Sequence, residues 1–420
     1  MFFEKIKLPN KVRLILVPDK NVNSVTVLGL VRIGSRYETE KNNGVSHFLE
    51  HMVFKGTEKR KTPLELIEVL DKIGGDYNAF TDKEITGFHA KVDKSHIETA
   101  IDWVSELIIS PLLKEEDLER EKGVILEEIK MYLDTPMSFI SDLWEKLLYG
   151  EQPLGRLGLG KEEIIKKMKI QQMVDYYQNY YSSENLVIVI SGNFKKEEAW
   201  KLVKRYFLKI GRKKINNPIK IKEIQKKPES FINFKETDQT HLCLGVKTYD
   251  LFHKDRYVLD VMSVILGGNM SSRLFLEIRE KRGLAYYVRT ATSKYLDTGS
   301  LFTQAGVAHN NLEKTAKIIL ENYKKLKEEI VPDDELKKAK EYIKGISTIG
   351  MESTDAKALF FGMQEVLTNK IVSLEERFKK IDKVSKMDIK RVANDIFCPE
   401  KLNLAIIGPH KIKKVSFLKI

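Results

Sequence analysis

Two short β-branched apolar runs open the chain, at residues 12–17 and 25–33, punctuated by Pro18-Asp19 and Gly34. Apolar runs of this length bounded by turn residues predict strands. From about Asn43 the apolar positions take up a helical period, which predicts a helix to Phe54. A second helix starts at Thr62-Pro63, a capping residue with proline at the first helical position, and ends at Gly74-Gly75. Residues 77–81 and 85–92 read as extended. Residues 94–109 form an amphipathic helix stopped by Pro111, and 114–133 form another, with Leu118, Val124, Ile125, Ile129 and Tyr132 as its apolar positions. A helix over 171–180, a strand over 186–191 and a helix over 200–208 follow.

The polar stretch 212–229, from Arg212 past Pro218 to Pro228, reads as a linker. Beyond it the pattern returns. Tyr181-Ser-Ser-Glu184-Asn-Leu186-Val-Ile-Val-Ile-Ser-Gly192 is echoed by Phe397-Cys-Pro-Glu400-Lys-Leu402-Asn-Leu-Ala-Ile-Ile-Gly408, so both halves close with the same turn and strand. More weakly, Asp71-Lys72-Ile73-Gly74 resembles Glu280-Lys281-Arg282-Gly283. The expected architecture is α+β: two related domains, 1–211 and 230–420, each a mainly antiparallel sheet with helices packed on one face.

Composition narrows the class. The 420 residues are 42% hydrophobic and 31% charged, and no apolar run approaches the ~20 residues of a membrane span. The net charge of +12 raises nucleic acid as a partner. The lysines, however, are interleaved with glutamates, as in Lys327-Glu328, which is the pattern of solvated helix faces. Neither a nucleic acid nor a membrane is therefore expected as a partner. Cys243 and Cys398 stand alone, and the first residues carry no signal-peptide core, so a cytoplasmic location is expected.

The densest chemistry lies in the first helix of the chain, where His47, Glu50 and His51 spell His-x-x-Glu-His. At about 100° per residue the three share one face. Two imidazoles one turn apart suit a single Zn²⁺, and a carboxylate beside them suits proton transfer from water. In the 114–133 helix, Glu121 and Glu128 are two turns apart on an otherwise apolar stripe, where unpaired carboxylates are costly. A cation would pair them, with Glu128 the better ligand and Glu121 one layer further out. An acidic helix with one face buried at a domain contact would give the same pattern. Glu127 falls on the face with Arg120 and Lys130 and reads as solvated.

The run Gly155-Arg-Leu-Gly-Leu-Gly160-Lys161-Glu162 nearly matches a phosphate-binding loop. Glu162 occupies the hydroxyl position and no strand precedes it, so a turn-rich connection is the reading adopted. In the second half, a helix beginning at Ser271 or Ser272 and ending near Gly283 would bring Arg279 and Tyr286 to one helix–strand corner. There they could hold a peptide carbonyl or a developing oxyanion, or serve simply as a surface arginine and a strand tyrosine.

Taken together these residues resemble the pitrilysin superfamily, which includes insulin-degrading enzyme and the mitochondrial processing peptidase. The chain is most similar to short, two-domain bacterial members, over nearly its whole length. The resemblance implies one zinc per chain on His47, His51 and Glu128, Glu50 as general base to a zinc-activated water, and Glu121 as an auxiliary carboxylate. It implies that Asn78, Ala79, Phe80 and Thr81 belong to an edge strand where a peptide substrate pairs, and that Arg279 and Tyr286 contact that substrate. A homodimer enclosing a chamber is the expected assembly, and a metalloendopeptidase acting on short or unfolded polypeptides the expected activity. The alternatives are an inactive scaffold homologue and an active subunit of a heterodimer. The chain departs from many relatives at Gly267-Gly268-Asn269-Met270, where a third glycine is common, and at Gln152, where a histidine is common.

Overall fold

The computed structural model describes residues 2–411 and 415–419. The chain folds into two compact units, each built on one sheet. The first sheet has strands β1 (Glu4–Lys7), β2 (Arg13–Pro18), β3 (Ser24–Val31), β4 (Asp76–Thr81), β5 (Thr86–Asp93) and β6 (Leu186–Gly192), in the order β1-β2-β6-β3-β5-β4. The second has β7 (Glu229–Phe234), β8 (Thr240–Thr248), β9 (Ala285–Lys294), β10 (Gly299–Val307) and β11 (Leu402–Gly408), in the order β7-β11-β8-β10-β9. In each sheet one pair is parallel, β2 with β6 and β7 with β11, and the other pairs are antiparallel. The internal repeat is thus visible strand by strand, with β1 as an addition to the first sheet that the apolar pattern did not announce.

The first half supplies α1 (Val45–Val53), α2 (Pro63–Asp71), α3 (Ile97–Ile109), α4 (Glu115–Leu133) and α5 (Pro136–Tyr149). Helix α2 starts as its sequence requires. Thr62 accepts from the Glu65 N–H, and the Glu65 carboxylate takes the N–H of Thr62 in return.

Neighbouring residues of β3 point to opposite faces. A Cβ on Gly29 would stand 2.4 Å from Ile108 of α3, whereas Leu30 meets the helix Thr354–Thr368, where a Cβ on Gly362 would stand 2.6 Å from Leu30 and 2.9 Å from Val189. The first sheet is therefore covered on both faces, and one cover comes from late in the chain. The second sheet mirrors this. Leu242, Leu244, Leu404 and Ile406 join a core with the helices Arg256–Gly267 and Leu312–Glu328. Cys243, Phe302, Ala405 and Ile407, on the other face, pack with Ile140, Trp144 and Leu148 of α5.

The units are accordingly discontinuous: Met1–Lys130, Arg156–Ile219 and Thr348–Ser373 form one, and Met131–Gly155, Lys220–Ser347 and Leu374–Ile420 the other. The expected sequence halves 1–211 and 230–420 therefore do not coincide with the compact units. Packing of helices on one face describes each half's own helices. The second apolar face of each sheet is closed by a helical segment from the other half. The expected linker does lack regular structure, from 211 to 226. No helix among the described residues is long and apolar enough to cross a membrane.

Candidate functional site

Helix α1 carries its apolar residues Phe48, Leu49, Met52 and Val53 fully buried, which leaves His47, Glu50 and His51 on a half-buried face. Helix α4 buries Leu118, Ile125 and Ile129 and presents Glu121 and Glu128 on the same side. The two helices meet through these polar faces. Nε2 of His47 lies 3.4 Å from Oε1 of Glu128, and Nε2 of His51 lies 3.3 Å from Oε2 of Glu128. Those separations match the edge, about 3.4 Å, of a tetrahedron with ligand bonds of ~2.1 Å. Among the described residues these three form the one group of such side chains whose ligand atoms all lie within 4.8 Å of one another.

The supporting contacts are those a metal-binding imidazole needs. Glu121, 5% exposed, faces Nδ1 of His51 at 2.9 Å. A carboxylate only accepts, so Nδ1 carries a proton toward Glu121; Nε2, which donates to Glu128 while the ring is doubly protonated, is the atom that would ligate a metal once it loses that proton. Lys55, one turn beyond His51, pairs with the other oxygen of Glu121 at 2.5 Å. Lys55 was not singled out from the sequence; its spacing from His51 on α1 was the available signal. Burial lowers the affinity of His51 for a proton, but the hydrogen bonds with Glu121 and Glu128 outweigh it and raise the pKa to about 9. Hydrogen bonds from His47 and His51 hold the Glu128 carboxyl well below its ordinary value. The carboxylates thus favour positive charge at this spot, and a divalent cation supplies it in compact form. The donor set of two imidazoles and one carboxylate fits zinc.

Glu50 points from the same face. Its Oε2 is buried without a hydrogen-bond partner, as is Nδ1 of His47. Among the described residues no group donates to that oxygen. Glu127 is exposed and pairs with Lys130, as its position on the helix suggested. Val124, expected on the apolar stripe, is 53% exposed instead; it follows the Glu121–Glu128 face outward rather than the buried face of Ile125.

Strand β4, which carries Asn78, Ala79, Phe80 and Thr81, is an edge of the first sheet, and α1 lies beside it. Asp82 N–H bonds the Ile85 carbonyl across the β4–β5 turn. Alternation along an antiparallel pair then turns the backbone groups of Thr81, Ala79 and Tyr77 away from β5. The Ala79 N–H is held meanwhile by the Asn78 side chain at 2.8 Å.

Arg279 and Tyr286 belong to the second unit and meet each other: the guanidinium lies 5.2 Å from the Tyr286 ring centroid and 4.9 Å from that of Phe275. The expected helix before Gly283 is π-helical over Phe275–Glu280, a wider winding that occurs often at functional sites. Tyr286 is 76% exposed on β9, the edge strand of its sheet.

The insulinase model of peptidase family M16 matches residues 13–161, and the Peptidase M16 inactive-domain model matches residues 167–343. The uncharacterized zinc protease YmxG of Bacillus subtilis is 37% identical over 400 residues, covering 95% of this chain and 97% of the relative. An uncharacterized zinc protease of Streptomyces coelicolor, SCO5738, is 32% identical over 98% of this chain and 90% of its own. Among solved structures, a protease from Helicobacter pylori matches with a TM-score of 0.91 at 25% identity, over 97% of this chain and 100% of that one. A chain of complex III from Candida albicans shares the fold at a TM-score of 0.84 and 16% identity, over 97% of this chain and 96% of that one. With both halves matched by the family's models and relatives aligned almost end to end, the chain belongs to peptidase family M16, in the pitrilysin superfamily.

Proposed function

We propose that this chain is a zinc metalloendopeptidase that cleaves short or unfolded polypeptides with Glu50 as general base. The observation that carries the reading is the pairing of a filled ligand set, His47, His51 and Glu128, with a bare buried oxygen on Glu50. Zinc held there supplies Lewis-acid polarisation of a carbonyl and lowers the pKa of water. Glu50 takes the proton of the attacking water and returns it to the departing amine. Glu121 keeps His51 in one tautomer and one orientation throughout, with Lys55 balancing its charge. The outward backbone groups of Tyr77, Ala79 and Thr81 pair with an extended substrate, and a substrate must be unfolded locally to offer such a strand. Arg279 and Tyr286 hold the substrate backbone.

The working form proposed is a cytoplasmic homodimer with one zinc per chain. Two free cysteines support a reducing compartment. The test combines metal analysis, native mass and cleavage of an unstructured peptide library by the wild type and by His51→Ala. Zinc at one per chain with cleavage, both lost in His51→Ala, supports the reading. A folded, zinc-free, inert wild type overturns it in favour of a scaffold.

A further inference from the structure

The carboxylate of Glu38 takes no part in the chemistry proposed above, yet it is only 2% exposed. Its partners lie at the start of α1. Oε2 accepts from Nδ2 of Asn43 at 2.9 Å and from the Gly44 N–H at 2.8 Å, and Oε1 accepts from the Ser46 N–H at 2.9 Å. All three are donors and favour the ionised carboxylate, against the burial that pushes its pKa up.

Helix α1 needs such a partner. The residue before it is Gly44, in the left-handed region at φ 94°, which has no side chain to cap the first N–H groups. Glu38 supplies the cap from six residues upstream. A negative group at this end of a helix also meets the positive end of the helix dipole.

Glu38 is itself fixed from behind. Nη1 of Arg156 donates to its carbonyl at 2.8 Å, and Nδ2 of Asn43 donates also to the Leu157 carbonyl at 3.1 Å. A Cβ on Gly44 would stand 2.8 Å from the Cα of Gly160, and one on Gly160 would stand 2.8 Å from the Cα of Gly44. The glycine-rich stretch that nearly matches a phosphate-binding loop therefore packs backbone to backbone against the start of α1. On the other side, Ser46 Oγ lies 2.6 Å from the Tyr176 hydroxyl, which donates to the Gly34 carbonyl at 3.3 Å.

His47 follows Ser46 directly, so a slip or rotation of this first turn moves a ligand. We propose that Glu38 is a positioning residue for the metal centre: its buried carboxylate sets the axial position and rotation of α1, and through them the placing of His47 against His51 and Glu128. The inference rests on the metal reading of those three residues. Sites of this kind need their ligands held to about 0.5 Å, which an α1 anchored only by its apolar face would not ensure.

The test compares full-length wild type, Glu38→Gln, Glu38→Asp and the control Glu365→Gln. Glu365 is a fully buried carboxylate paired with Lys5 and Arg13 on the helix Thr354–Thr368, with no role proposed at the metal. The readouts are the visible spectrum of the cobalt(II)-loaded protein, the zinc dissociation constant by chelator competition, kcat and KM on a peptide, and the thermal midpoint. Glu38→Gln places an amide against N–H donors, so its cobalt spectrum should change and its zinc dissociation constant rise about tenfold or more. Its kcat should fall with KM within about twofold. Glu38→Asp, which keeps the charge, should fall between it and wild type. Glu365→Gln should lower the thermal midpoint alone.

A folded Glu38→Gln with wild-type spectrum and zinc affinity overturns the proposal. If that variant does not fold, Glu38→Asp decides on the same readouts. A wild type that binds neither metal, or a His47→Ala variant that binds as tightly as wild type, overturns the underlying metal reading as well. Binding by wild type together with indifference to Glu38 overturns the positioning role alone.

Discussion

Cutting the chain between Ile219 and Lys220 removes the helix Thr354–Thr368 from the first sheet while leaving every strand of that sheet in one fragment. The face it covers carries Ile15, Leu28, Leu30, Val187 and Val189, none more than 2% exposed. At about 1.5–3 kcal/mol per fully buried aliphatic side chain, five such losses come to roughly 8–15 kcal/mol. A whole domain is stable by only about 5–15 kcal/mol, so the fragment 1–219 should have no stable native state of its own. It is burdened further by α5, whose Ile140, Trp144 and Leu148 belong to the core of the second unit. Expressed alone, 1–219 should aggregate or bind a hydrophobic dye while losing near-ultraviolet dichroism. Co-expressed with 220–420, it should give a soluble 1:1 complex that unfolds cooperatively. A soluble monomeric 1–219 with a sharp unfolding transition would refute the reasoning, because the covering helix would then be dispensable.

Other expectations concern the site. Glu121→Gln keeps an acceptor for the Nδ1–H of His51 but loses the charge opposite Lys55, and should weaken zinc binding about tenfold, or ~1.4 kcal/mol. Titration against a chelator checks this, and unchanged affinity counts against Glu121 as a support. Ala79→Pro removes one outward N–H from an edge strand that tolerates proline. At ~1 kcal/mol for a hydrogen bond, KM should rise about fivefold with zinc content unchanged, and an unaltered KM would remove β4 as the docking strand. Arg279→Ala should lower kcat/KM by about 10- to 100-fold, as for a charged hydrogen bond, and leave the metal in place. A wild-type kcat/KM would leave Arg279 to its contacts with Phe275, Tyr286 and Glu280.

The candidate site was legible because both of its elements are helices, whose fixed pitch turns sequence spacing into geometry. His47, Glu50 and His51, then Glu121 and Glu128, could each be assigned a face before the two helices were brought together. That these faces oppose each other is a tertiary fact, which the resemblance supplied and the spacing alone did not. Lys55 and Glu38 escaped notice for different reasons. Lys55 looked like any surface lysine, and Glu38 acts across a loop to which no periodicity applies. The exchange of covering helices was half visible. Residues 25–33 are apolar almost without alternation, the mark of a strand buried on both faces. Nothing in that run says which distant segment closes the second face. The two segments that do so, 131–155 and 348–373, lie well away from the strands they cover.

The most direct measurement is the Glu50→Gln comparison. Glutamine keeps the shape of the side chain and leaves His47, His51 and Glu128 untouched, but cannot take up a proton. Zinc content should stay at the wild-type level and the thermal midpoint should not fall, while turnover of an unstructured peptide drops by about 100- to 10,000-fold, the range for loss of a general base. Cleavage by the variant at the wild-type rate, with the same zinc content, would contradict the assignment of Glu50 as the base.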